Sequence, residues 1–290
     1  MNRKQLVGIF EITLGSIGFA FLGIFGKWAF SSGLSVGALL TYRFIIASMA
    51  LWMGLFLFNR DKIYISRTQL LISAGLGVFG YAVFATLYFS AVQGMSVGLA
   101  ALLLYTYPFW VSLLGHFFLR ERMNQTQWLL LLGAFLGVTC LLWGQFHLNN
   151  MKAFIAGLGS AITYAIYILF SAHYQKNVKP LSSSLYVTTF AAIALASYHH
   201  PPLQFWKILD FQQWQIVLGI ATVSTIFPMT LILGGLQKLK SSQAALITML
   251  EPVIAAIAAG ILLHESMSGL QIVGATLVMT CLGLSVLRAH

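Results

Sequence analysis

The chain has 290 residues, of which 59% are hydrophobic and 8% charged, and a formal net charge of +10. A mean hydropathy of +0.87 excludes a water-soluble globule, so nearly all of the chain must lie in lipid. Cys140 and Cys281 have neither pairing nor metal-ligand spacing, and no His/Cys cluster does, so no cofactor or metal is expected.

A helix needs about 20 apolar residues to cross roughly 30 Å of hydrocarbon. Runs of that kind fall at 5–30, 35–58, 69–93, 96–119 and 126–144. Five more follow at 153–174, 181–198, 214–236, 241–264 and 268–287. The first run is too long for a signal-peptide core and reads as a retained span. The loops are short, and the longest, about 198–214, is too small for a domain. The chain thus reads as all-α and polytopic, with ten transmembrane helices.

Lysine and arginine near span ends collect on the cytoplasmic face. With the N-terminus inside, twelve basic residues fall on that face, two (Lys152 and Lys207) fall outside, and Lys27 and Arg43 lie within spans. The net charge is then a topology signal that calls for no nucleic acid. It places both termini on the cytoplasmic side.

One ungapped shift of 144 positions pairs Gly15-Ser16 with Gly159-Ser160, Tyr42 with Tyr186, and Thr86 with Thr230. It also pairs Gln93 with Gln237, Pro108 with Pro252, Glu121 with Glu265 and Gln127 with Gln271. A tandem duplication accounts for this best. The expected units are repeats 1–145 and 146–290. Five spans per unit force the second to run inverted through the membrane, a plan that serves alternating access around a midplane site.

An ionisable group at mid-membrane costs about 2.5–3.5 kcal/mol on insertion scales, so each one must face a partner or a wet cavity. The candidates are Glu11, Lys27, Arg43 and Glu251. Lys27 is near a span end and can snorkel. Arg43 calls for backbone carbonyls, a carboxylate or an anionic substrate group. Glu251 precedes Pro252, which deprives the Thr248 carbonyl of its helical donor; Tyr107 and Pro108 repeat this at Leu104. Two matched helices are therefore expected to break at mid-membrane, the best sequence pointer to a transporter site. Glu251 could couple substrate to protons, or be a fixed structural acceptor.

Helical spacing groups Ser160, Tyr164, Tyr167 and Ser171 on the sixth span, and Tyr81, Phe84 and Tyr88 on the third. Ala244, Thr248, Glu251, Ala255 and Ala259 share a face of the ninth, and Tyr105, Ser112 and Gly115 one side of the fourth. Glu11, Gly15 and Gly18 mark the first. Gly75-x-Gly77-x-x-Gly80 imitates a dinucleotide fingerprint but lies inside a span, where it reads as a packing face. No hydrolase, metalloprotease or phosphate-loop motif occurs, and the ionisable set is too sparse for an enzyme.

Three stretches carry a family resemblance: Gly26-Lys27-Trp28-Ala29-Phe30 leading to Tyr42-Arg43-Phe44; Ala100-Ala101-Leu102 through Pro108 to Glu121; and Ser242-Gln243-Ala244-Ala245-Leu246 through Glu251-Pro252 to His264-Glu265. Together they resemble the drug/metabolite transporter superfamily, and within it the EamA-type ten-helix permeases, over essentially the whole chain. The resemblance implies a permease of the cytoplasmic (inner) membrane with both termini inside, exporting or importing amino acids, nucleobases or related compounds through a central cavity. Glu121 and Glu265 are read as caps or gates.

The sequence thus leads to a secondary transporter, proton-coupled or exchanging, whose cavity is formed by helices one, three, four, six, eight and nine. The expected substrate-binding residues are Glu251, Arg43, Lys27, Tyr81, Tyr88, Tyr105, Ser160, Tyr164, Tyr167 and Thr248. Its partners are a small-molecule substrate and the lipid bilayer, with the chain as monomer or homodimer. The alternative is a non-transporting membrane sensor or assembly partner.

Overall fold

The computed structural model describes residues 3–121, 123–144, 150–202, 209–263 and 267–287. Among these, ten apolar helices run in order: α1 (Arg3–Ser31), α2 (Val36–Phe58), α3 (Arg67–Gly94), α4 (Gly98–Leu119), α5 (Gln125–Leu141), α6 (Met151–Tyr174), α7 (Pro180–His199), α8 (Phe211–Leu236), α9 (Ser241–Leu262) and α10 (Gly269–Val286). Nine are long and apolar enough to cross a membrane; α5, at 17 residues, is shorter. It ends at Leu141, where the chain turns, and not at 144 as its apolar run suggested. The expected junction of the repeats, at 145/146, falls outside the described residues, as do Arg122, Lys207, His264, Glu265 and Arg288.

Helix starts follow the repeat. A helix leaves its first N–H groups without intrahelical acceptors, and a polar cap with a glutamine three residues on satisfies two donors at once. Ser66/Gln69 opens α3 and Asp210/Gln213 opens α8, one pair 144 residues from the other. Asn124/Gln127 opens α5 and Ser268/Gln271 opens α10 at the same separation.

Packing between the halves is two-fold symmetric. α3 lies on α6 as α8 lies on α1, and α7 crosses α3 as α2 crosses α8. Three pairs of equivalent helices meet each other: α2 with α7, α4 with α9, and α5 with α10. All three run antiparallel. Gly37 faces His199 while Ser48 bonds Thr189, and Tyr107 bonds Thr248 while Glu121 bonds Ser241. Gly133 faces Cys281 while Gly137 faces Val278 and Gly274. Equivalent helices of opposite direction make these inverted repeats, in agreement with the odd number of spans per half.

Without a hydrophobic force between helices in lipid, small residues that allow close backbone approach take over. Gly15 and Gly18 of α1 lie against Pro228 and the Val223 carbonyl of α8, so this face is a packing seam and not a cavity wall. Gly77 meets the Val187 carbonyl of α7 and Gly80 meets the Tyr167 ring, as the reading of that motif as a packing face requires; Gly75 faces open space.

On the face that carries the N-terminus, polar contacts fasten the bundle. Glu121, just beyond the end of α4, accepts from the backbone N–H and hydroxyl of both Ser241 and Ser242 at 3.1–3.4 Å. The carboxylate thus caps the positive end of α9. Glu11 binds Lys238 at 2.6 Å, and Gln237 donates to the Gln175 and Val178 carbonyls. Glu121→Ala is expected to lose about 1–3 kcal/mol, the cost of leaving such donors without an acceptor. A thermal melt in detergent checks this, and an unchanged midpoint would refute the cap.

Candidate functional site

The centre is built by the two helix breaks. In α4 the helix Val97–Leu104 stops at a turn through Tyr105 and Thr106 and restarts as Tyr107–Leu119. In α9 a 3-10 turn, Thr248–Leu250, separates Ser241–Ile247 from Glu251–Leu263. Pro108 and Pro252 lie at the restarts, where a missing N–H costs least. The breaks occupy the same place in the two repeats, and α4 packs against α9. Thr248 donates its hydroxyl to the Ala245 carbonyl at 2.8 Å, which leaves its oxygen to accept from the Tyr107 hydroxyl.

Around this junction lies a continuous aromatic cluster. Tyr107 packs on Tyr164 with centroids 4.8 Å apart, and Tyr164 on Phe84 at 4.6 Å. Tyr81 meets Phe84 at 5.6 Å, Tyr167 at 5.2 Å and Phe44 at 5.2 Å. Tyr88 joins through Phe84 at 6.3 Å. The edge-to-face geometries dominate, as ring quadrupoles prefer. The Tyr105 hydroxyl lies in hydrogen-bonding reach of the Glu251 carboxylate. Tyr81, Tyr88, Tyr107 and Tyr164 are all close enough to interact electrostatically with it. Glu251 keeps part of its surface accessible, whereas Thr248, Tyr105, Tyr107 and Tyr167 are buried.

Of the residues expected from sequence, Glu251, Thr248, Tyr81, Tyr88, Tyr105, Tyr164 and Tyr167 come together. Ser160 is buried on the same stripe of α6 but spends its hydroxyl on the Gly157 carbonyl at 2.6 Å. One turn inside Tyr167, Ser171 is buried beside it. Neither hydroxyl of that pair has a well-formed hydrogen bond among the described residues. Lys27 is exposed on the last turns of α1. Arg43 is buried and reaches Tyr81, but its Nε and Nη2 turn into α8, to Thr225 Oγ1 at 2.6 Å and the Ser224 carbonyl at 3.1 Å. Sequence reasoning passed over Tyr107 as a wall of the site. Its signal was available: Tyr107 is the residue the 144-position shift matches to Glu251.

A third symmetric feature has no counterpart in the expectations. α3 contains a π-helical segment, Leu76–Ala82, and α8 contains another, Thr222–Ile226. The shift maps 78–82 onto 222–226. Such wide turns inside α-helices recur at functional sites.

Inverted repeats with broken helices meeting at a central polar site define a membrane transporter architecture. The EamA-like transporter family matches residues 6–143 and again 151–287, and the chain belongs to this family. The Bacillus subtilis (strain 168) protein named "Uncharacterized transporter YcbK" is 26% identical over 94% of this chain and 90% of its own length. Proteins named "Probable amino-acid metabolite efflux pump" are each 26% identical: that of Salmonella typhimurium over 84% of this chain and 83% of its own, and that of Escherichia coli (strain K12) over 80% of both. A crystal structure 18% identical in sequence superposes with a TM-score of 0.75 over 99% of this chain and 97% of the other, a likeness of fold.

Proposed function

We propose that the protein is a secondary transporter that moves a small metabolite across the cytoplasmic membrane by alternating access. Residues 1–145 and 146–290 act as its two repeats, and both termini lie in the cytoplasm. The observation that carries this reading is the meeting of two matched helix breaks, α4 and α9, beside a carboxylate within a tyrosine cluster. Of the six acidic residues in the chain, Glu251 is the one the described structure holds at that centre.

The chemistry of the centre favours a guest with a cationic or N–H donor group and a flat or apolar body. Glu251 offers the acceptor, the tyrosine faces attract positive charge and stack on rings, and the Tyr167 and Ser171 hydroxyls are available for further hydrogen bonds. Amino acids and nucleobases meet this description. The names of the relatives from Salmonella typhimurium and Escherichia coli support amino acids and the outward direction. The fastened contacts at Glu121, Gln237 and Lys238 support a state closed to the cytoplasm, with the site served from the other face. A proton or a second substrate molecule on Glu251 would complete the cycle.

The test is the thermal stability of the detergent-solubilised protein against amino acids, nucleobases, nucleosides and vitamins. A ligand present at 100 times its Kd stabilises the folded state by about 2.7 kcal/mol. A stabilising compound is expected that loses its effect in both Glu251→Gln and Tyr167→Ala. A compound that stabilises those variants as well as the native protein would place the site elsewhere.

A further inference from the structure

Arg43 is 2% exposed in the first half of α2, and its guanidinium is committed to the π-helical segment of α8. Pro228 has no N–H for the carbonyl of Ser224, four residues before it, and an unmatched carbonyl at membrane depth is costly. Here Ser224 leaves helical geometry (φ −112°, ψ 18°), and its carbonyl is taken by Arg43 Nη2 at 3.1 Å. Thr225 donates its hydroxyl back to the Ile220 carbonyl at 2.7 Å, while the same oxygen accepts from Arg43 Nε at 2.6 Å. Ser224 Oγ adds a bond to the Gly18 carbonyl of α1 at 2.9 Å. The guanidinium also reaches Tyr81, which lies on the other π-helical segment, in α3.

The equivalent crossing in the other repeat is built differently. The 144-position shift places Val187 of α7 where Arg43 stands in α2. At that crossing a Cβ on Gly77 would lie 2.7 Å from the Val187 carbonyl, so bare backbone passes over bare backbone. The α3 segment meets its partner helix α7 backbone to backbone, whereas the backbone of the α8 segment is held by a forked cation from its partner helix α2.

We infer that Arg43 is a positioning residue that pins the π-helical segment of α8, through Thr225 and Ser224, and thereby fixes which crossing moves when the transporter changes face. The inference builds on the alternating-access reading but is measured without a substrate. Hydrogen–deuterium exchange of the full-length protein in lipid nanodiscs follows amides 220–226 and 76–82. Arg43→Gln is expected to speed exchange in 220–226 by about tenfold or more, with the α5–α10 pair changed by less than about threefold and 76–82, which the guanidinium touches only through the Tyr81 side chain, changed by less than 220–226. Arg43→Lys, which keeps the charge and loses the fork, is expected to restore little of the protection.

Unchanged exchange in 220–226 would overturn the inference. So would a uniform rise across all helices, the sign of a merely structural role. If Arg43→Gln does not insert, Arg43→Lys keeps the charge, loses the fork and leaves the Thr225 bond to Ile220 intact, and the same two outcomes decide. Once a cargo is known, the pin predicts a fall in maximal rate with KM nearly unchanged. Native protein that moves no solute but shows the expected exchange pattern would count against the transporter reading alone.

Discussion

Glu251→Gln is expected to lower transport about 100-fold and to remove its pH dependence, while the protein still inserts and folds. The amide keeps the shape of the carboxyl and can still contact Tyr105, so the packing of α9 on α4 survives. It cannot carry a negative charge or exchange a proton. A hydrogen bond to a charged group contributes about 1.5–3 kcal/mol, and the upper figure corresponds to about 100-fold in rate or affinity. Replacing a carboxylate by an amide in an apolar centre also removes a desolvation cost, so the thermal midpoint is expected to hold or rise. Transport assays in proteoliposomes across a pH series, with a melt on the same preparation, settle the matter. A variant with native rate and native pH profile would remove Glu251 from the mechanism.

Gly274→Val is expected to be the most damaging small change in the bundle for stability. A Cβ at Gly274 would lie 2.5 Å from the Gly137 carbonyl oxygen and 2.6 Å from the Leu141 amide nitrogen, both backbone atoms of α5. Backbone cannot move aside as a side-chain tip can. Overpacking costs about 1–3 kcal/mol even where side chains can yield, and here the whole α5–α10 contact must open. At about 2–4 °C per kcal/mol, a fall of roughly 10 °C in the melting midpoint follows, with aggregation on size exclusion. Gly283→Val on the same helix is the control, because nothing lies within 4 Å of its Cβ position. Equal behaviour of the two variants would refute the packing account.

Much of this molecule is legible from its sequence because lipid makes strong local demands. Length and hydropathy placed the ten helices to within a few residues. Pro108 and Pro252 announced the breaks at Tyr105 and Thr248, since a missing N–H acts on its own turn. The stripe Ser160, Tyr164, Tyr167 and Ser171 faces the interior as its spacing required. What stayed hidden depends on residues far apart in the chain. Nothing local tells Glu11 that Lys238 will be its partner, 227 positions away. Arg43 demanded a partner, and Pro228 left the Ser224 carbonyl without its helical donor, but nothing local told the two that they would meet across 181 positions. Of the two π-helical segments, that of α3 has no proline to announce it; in α8 Pro228 deprives the Ser224 carbonyl of its helical donor, as Pro252 does at Thr248, a signal that sequence reasoning passed over. They arise where helices cross, and crossing is a property of the assembled bundle.

The match between Tyr107 and Glu251 bears on how such a centre can arise. Two identical five-helix chains, paired head to tail in the membrane, would present the same side chain from both partners. Two acids would confront each other across a dry centre and repel; two phenols would leave it without charge. Fusion into one polypeptide lets the two positions diverge and sets one acid opposite one phenol within every molecule. Under the proposed function, the one carboxylate that the described residues hold at the centre would give each molecule one charge to trade, a number that a symmetric pair of identical subunits could not hold at one.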